Sequence, residues 1–284
     1  MTRGYQINHF FSRFMVEAWE CYYRKNNGVW TYNFGAETLE HLPSNKVFAR
    51  KRVFSDELEK RYNKVIETPL SQYYSSLLAG RDLHRTNREI EKALFLLFFS
   101  QSSRVQQALE PERGTSLTHI LSASDETLDD LVNELAVNSR LIRCTSTHHQ
   151  PMFLPRHGMF AVPYQDTSCL TGWTFGFAIP LTPYVAVLMV SKSVASDTIL
   201  QLPLWACSVG LAPKMNCIII PPFAADRMAH GRIVQEVNHA RAMCDELHQA
   251  TEGIRYESIQ VAKSLGLSVS RVHGCLHGKM TLQL

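Results

Sequence analysis

His9 and Arg13 stand four residues apart inside a mostly aromatic and aliphatic run from Asn8 to Trp19. On a helix that spacing puts both on one face, stacked a turn apart. A basic pair on an apolar face is costly to bury unless an acid or an anion meets it. Lys46, Glu67, Gln101 and Arg104 are further polar residues in or beside helix-prone, apolar sequence. Together the six residues compose a phosphate site. Arg13, Lys46 and Arg104, with Gln101 beside them, hold the anion by forked or point-charge contacts. His9 moves a proton near neutral pH, and Glu67 is its partner or the opposite member of an acid–base pair. Metal-free cleavage of RNA needs this set: a base for the 2′-hydroxyl, an acid for the leaving oxygen, and cations for the charged transition state. The same residues also compose a buried ion-pair network, in which Glu67 neutralises Arg13 and Arg104 and His9 caps a helix. The sequence leaves both arrangements open.

Two other groups bear on chemistry. Cys144, His148, His149 and His157 are of zinc-binding type, but their spacing matches no zinc module. His273 and His277 lie four apart, yet Gly274 stands where a His-Glu-x-x-His site needs glutamate. No metal and no cofactor is expected. From Glu257 to Lys279, Ala262, Gly266, Leu267 and Val272 have the arrangement of a helix-turn-helix, with Ser268 capping the second helix. That helix offers Ser270, Arg271, His273 and His277 outward, with Lys279 after its end, as nucleic-acid contacts; the alternative is a hairpin that only closes the domain. The chain holds no P-loop, no dinucleotide fingerprint and no Gly-x-Ser-x-Gly.

The elements that must position these residues follow from periodicity. Phe10, Phe11, Phe14, Met15, Ala18 and Trp19 predict a helix from about Ile7 to Arg24. Asn26-Asn27-Gly28 signals a turn before a short strand at Val29–Tyr32. Ser55 is an N-cap, with acids in the turn after it, and Pro69 kinks or restarts that helix. A buried helix spans Asn87 to Gln107, its centre at Ala93–Phe99 apolar all round, and Ser124 caps another. Between Leu141 and Ile220, β-prone runs separated by proline and glycine predict a small sheet packed on the helices. A last long helix runs from about Asp226 to Glu252. The expected fold is α+β and mainly α: a helical core with a small sheet inserted before the last long helix, as a domain over residues 1–254, and a C-terminal helical hairpin over 255–284.

Composition bounds the class. The 284 residues are 45% hydrophobic and 19% charged, which is globular composition, and a net charge of +3 does not argue for nucleic acid by itself. The longest apolar runs fall short of the roughly 18–20 residues that span a bilayer, so no membrane partner is expected. Seven scattered cysteines and a start without an apolar signal segment predict reduced thiols in a cytoplasmic protein.

In order along the chain, several pieces resemble a bacterial family of domains of unknown function. Its opening pattern, close to His-Tyr-Val-Pro-Arg-Phe-Tyr-Leu-Arg-Asn-Phe, is similar to His9, Phe10, Phe11, Arg13, Phe14, Val16 and Trp19, with Ser12 at the family's proline and Glu17 at its second arginine. Val29–Tyr32 resembles its short strand. Leu58-Glu59 with Ile66-Glu67 resembles its paired Leu-Glu and Ile-Glu helix. Gln101 and Arg104 resemble its Gln-x-x-Arg, Pro180–Pro183 its Pro-Leu-Ser-Pro, and Asn238 its helical asparagine. Arg156-His157-Gly158-Met159 stands where the family has Ser-Asp-x-Pro, so a base replaces its acid. The resemblance covers about Tyr5 to Glu252. The expected function is a nucleic-acid-directed effector of toxin or phage-defence type, as a metal-independent ribonuclease. The alternatives are a DNA-binding regulator using the tail, or a non-catalytic subunit of a larger complex with a protein partner or a second copy of itself.

Overall fold

The computed structural model describes residues 7–9, 11–51, 53–79, 88–109, 121–165, 173–192, 202–210, 217–222 and 231–246. The first helix expected, from Ile7 to Arg24, is instead strand β1 (Ile7–His9), a short helix α1 (Arg13–Glu17) and strand β2 (Cys21–Tyr23). Ser12, in extended conformation at ψ 137°, separates strand from helix. Phe11, Met15, Val16 and Trp19 are still buried together. The four-residue apolar spacing is met by one helical turn and its flanks rather than by a long helix.

Strands β3 (Asn26–Asn33), β4 (Thr38–Leu42) and β5 (Ala49–Lys51) follow. Asn26-Asn27-Gly28 does not form the turn expected of it. The β2–β3 turn is at Arg24 and Lys25, both at positive φ (45° and 68°), and Gly28 lies inside the ladder opposite Cys21. A Cβ at Gly28 would stand 2.3 Å from the Leu42 carbonyl oxygen, so glycine is there for the close approach of β4.

Ser55 caps helix α2 (Asp56–Tyr62), accepting from the Leu58 amide at 3.2 Å. The chain continues through a π-helical turn, Asn63–Glu67, into α3 (Thr68–Leu78). Pro69 lies in the first turn of α3, where the chain passes from the π turn back into α-helix. It has no N–H for a bond one turn back, and the wide turn stands just before it. Helices α4 (Arg88–Leu109) and α5 (Asp125–Asn138, capped by Ser124) complete this group.

Strands β6 (Ser139–Thr145), β7 (Leu154–Pro155), β8 (Phe160–Gln165), β9 (Trp173–Pro180) and β10 (Val185–Ser191) precede helix α6 (Leu204–Gly210), strand β11 (Cys217–Ile220) and a helix over 231–246, α7. The strands form a four-stranded antiparallel sheet in the order β6-β10-β9-β8, a five-stranded sheet in which β2, β3, β11 and β7 are neighbours and β4 pairs with β3, and the ribbon β1–β5.

This corrects the mainly α expectation. The fold is mixed α/β, with two larger antiparallel sheets, and the first third of the chain supplies strands to one of them. The sheets are also a middle layer. On β10, Val187 faces the cluster of α1–α5, while Ala186, Leu188 and Val190 face α6 and α7. On β11, Ile219 and Ile218 divide in the same way. Burial on both faces explains why β10 reads as a continuous apolar run. The expected C-terminal hairpin lies outside the described residues.

Candidate functional site

Distant segments meet around the polar end of α4. The centre of α4 is apolar on every side: Ala93 to Phe98 are all buried. Such a helix runs through the interior, so the polar residues at 100, 101 and 104 are carried in with it. Ser100 returns its hydroxyl to the Leu96 carbonyl at 2.6 Å. Gln101 and Arg104 reach neighbours on other elements. α2 brings Glu59 and Tyr62, the π turn brings Glu67, and the start of α1 brings Ser12. The turn between β7 and β8 brings Gly158, at φ +69°, against Gln101 and Phe11. A side chain at Gly158 would meet both at 2.8 Å, so only glycine fits this turn.

Arg104 is 2% exposed. Its Nη2 straddles the Glu59 carboxylate, donating at 3.0 and 3.3 Å. Its guanidinium carbon lies 4.0 Å from the centre of the Tyr62 ring and 4.7 Å from that of Phe54. Glu59 is itself nearly buried, with 12% of its side chain exposed. Removing one partner of such a pair strands the other charge, typically at about 3–5 kcal/mol.

Glu67 is the second acid beside this one cation. Burial raises the proton affinity of its carboxyl and outweighs Arg104 and the Ser12 hydroxyl, which favour the carboxylate; Glu59 adds to the rise. Burial likewise pushes the Tyr62 phenol up to about 12, so it stays neutral. Burial disfavours charge on Glu67, and among the described residues the Arg104 guanidinium beside it is already paired with Glu59.

The six residues expected to act together are therefore divided. Glu67, Gln101 and Arg104 converge. Arg13 does not join them: its side chain is 87% exposed and its Nε donates to Glu17 at 2.7 Å, one turn along α1. Lys46 is exposed, at the end of a short 3-10 turn, Ser44–Lys46. Of His9 only the backbone is described, opposite Ala49 in the β1–β5 ribbon. His9 and Arg13 do not share a helical face, because the strand ends at one and the helix starts at the other. Ser270, Arg271, His273 and Lys279 lie outside the described residues.

Of the zinc-type residues, the His148 ring meets the Tyr184 ring at 4.6 Å, tilted by 58°, and burial followed by the charge of Arg156 lowers the His157 pKa. Among the described residues no three histidine, cysteine or acidic side chains group as metal ligands. Glu59, Tyr62, Phe54 and Ser12 were not among the candidates. Glu59 reads as a first-turn acid favoured by the helix dipole, and its pairing with Leu58 in a Leu-Glu motif parallel to Ile66-Glu67 is the one local signal that sets it apart.

Three surface clefts are separate from this cluster. One of about 440 Å³ lies between α2 and the start of α5 and includes Arg61, whose guanidinium pairs with Asp125. A second, about 410 Å³, lies between Arg13, Glu20, Asn27 and Asn45. The third, about 550 Å³, has aromatic walls: Phe14, Tyr74 and Tyr184. Compared with protein-family models, curated proteins and solved structures, the chain matches none. The arrangement therefore stands on its own geometry.

Proposed function

We propose that this protein is a non-catalytic binding component of a larger assembly, and that the Arg104 cluster is an ionic clasp within its core. The observation that carries this reading is the burial of Arg104, 2% exposed and held by Glu59 between two aromatic rings. A phosphate ligand must be reachable, and a guanidinium committed to a buried carboxylate is not. Arg13 and Lys46 are exposed but lie apart from this cluster, so they do not join Arg104 in holding one anion. A cytosolic setting accords with the five described cysteines, all free thiols. Among the described residues no helix is long and apolar enough to cross a membrane. The test has two arms. Native extract from the source cells should show the protein eluting well above its monomer mass of 32.3 kDa. Purified protein should leave RNA and DNA panels uncut, with and without divalent cations.

A nucleic-acid-directed effector is the second reading, and one observation favours it. The π turn delivers Glu67 beside a cation with its proton affinity raised, and both π turns and shifted carboxyls are common at functional sites. Cleavage of RNA that is lost in Glu67→Gln, in a variant that stays folded, would replace the first reading with this one.

A further inference from the structure

The aromatic cleft has the chemistry of a cation site. It is about 550 Å³, within the range of roughly 300–1,000 Å³ typical of small-ligand sites. Phe14, Glu17 and Ala18 of the α1 region form one wall. Tyr74 and Leu78 of α3 form another. Thr182, Pro183 and Tyr184 from the β9–β10 turn, with Pro222 after β11, close it. Hydrogen bonds and a ring contact tie the walls together. The Tyr74 hydroxyl donates to the Leu181 carbonyl at 2.5 Å, and the Phe14 ring meets the Tyr74 ring at 5.2 Å and 57°. The Thr182 hydroxyl accepts from the amides of Tyr184 and Val185 at 3.1 and 2.9 Å, which sets the turn carrying Tyr184. Among the described residues lining the cleft, Glu17 alone is charged. Its field reaches the Tyr74 phenol.

We propose that this cleft binds an organic cation, a quaternary or alkylated ammonium head, with Phe14, Tyr74 and Tyr184 around it and the Glu17 carboxylate as counter-charge. Aromatic faces attract such a head through their quadrupole, and its alkyl shell suits a mostly apolar lining better than the tightly held water of a simple ammonium or a metal ion. An anion would face Glu17 with no cation on the lining to meet it. The present partner of Glu17 is Arg13, and that pair is on the surface, at 87% and 46% exposure. It is weak and exchangeable. Arg13 thus competes with the ligand for one carboxylate. The cleft shares no residue with the Arg104 cluster, so this assignment and the proposed function stand or fall separately.

The test is titration of the full-length protein with choline and tetramethylammonium, followed by calorimetry or NMR. The neutral isostere 3,3-dimethylbutanol is the control for apolar binding. The cations should bind about tenfold more tightly than the isostere. Glu17→Gln should weaken binding about five- to tenfold, whereas Arg13→Gln should tighten it. A merely structural pair would not give opposite signs. Tyr184→Leu keeps the bulk and loses the aromatic face, so it should weaken binding with the melting temperature nearly unchanged. A trimethyl-lysine peptide distinguishes the source: tighter binding than choline points to a protein ligand, equal binding to a small molecule. Equal affinity for the isostere, absence of saturable binding by either cation, or the same direction of change in Glu17→Gln and Arg13→Gln would each overturn the proposal.

Discussion

Arg104 is buried, and its charge makes the consequences of replacing it asymmetric. Arg104→Met alone leaves Glu59 buried without its cation and should cost about 3–5 kcal/mol. Glu59→Leu combined with Arg104→Met removes both charges and should recover most of that loss, as paired apolar replacements often do. Urea unfolding of the two single variants and the double variant measures the coupling; additive losses would show that the pair does not act as a unit. Glu67 gives a pH signature. Its carboxyl is raised in the folded state above the ordinary value of 4.5. The folded state thus holds the proton more tightly than the unfolded chain, and stability falls as pH rises from about 4.5 through the raised value, then levels. Glu67→Gln does not titrate and should remove that fall. Melting temperatures across this window check it, and an unchanged slope in the variant would assign the titration to another group.

The β2–β3 hairpin stores strain in its turn and needs a glycine elsewhere. A two-residue turn with positive φ at both positions favours Asn-Gly, yet Arg24 and Lys25 occupy it. Left-handed backbone at a non-glycine residue costs roughly 1–2 kcal/mol. Arg24→Asn with Lys25→Gly should therefore raise the melting temperature by several degrees, at about 2–4 °C per kcal/mol for a chain of this size. Gly28→Ala, three residues on, should do the opposite. Its Cβ would press within 2.3 Å of the Leu42 carbonyl oxygen, and relieving that contact requires β3 and β4 to separate. Forced overpacking of this kind typically costs about 1–3 kcal/mol. Calorimetric scans of both variants test two opposite expectations on one hairpin.

At the scale of the molecule, the sheets are sealed by α7 as well as by α6. Ile233, Val237 and Ala240 pack with Tyr32, Ile218 and Ile220, and Cys244 joins the cluster behind the four-stranded sheet. Gly210 lets α6 approach α7 so closely that a Cβ would stand 2.3 Å from the Cys244 sulfur. A chain ending at Glu252 keeps this helix and should unfold at nearly the midpoint of the full chain. A chain ending at 230 uncovers the apolar faces of both sheets and should aggregate or fail to fold. If the shorter of these folds normally, α7 is an accessory rather than part of the core.

What the sequence by itself determined is local. The caps at Ser55 and Ser124 act within one turn, so the residues that make them are adjacent in the chain. The apolar centre of α4 and the run of β10 are legible because burial on all sides leaves no polar positions. The tertiary structure alone decided the pairings. Trp30 lies opposite Ile220, and no local pattern selects that partner over another β-prone run. This is why the β-prone residues of the first third did not reveal a five-stranded sheet. The site divides on the same line. Arg104 was singled out because a cation in an apolar helix requires an acid, but that requirement does not say which acid. Glu59 and Glu67 both come within reach because α2, the π turn and α4 cross there. Arg13, four residues from His9 in the chain, turned outward because Ser12 breaks the backbone between them, and side-chain direction follows backbone geometry rather than sequence spacing.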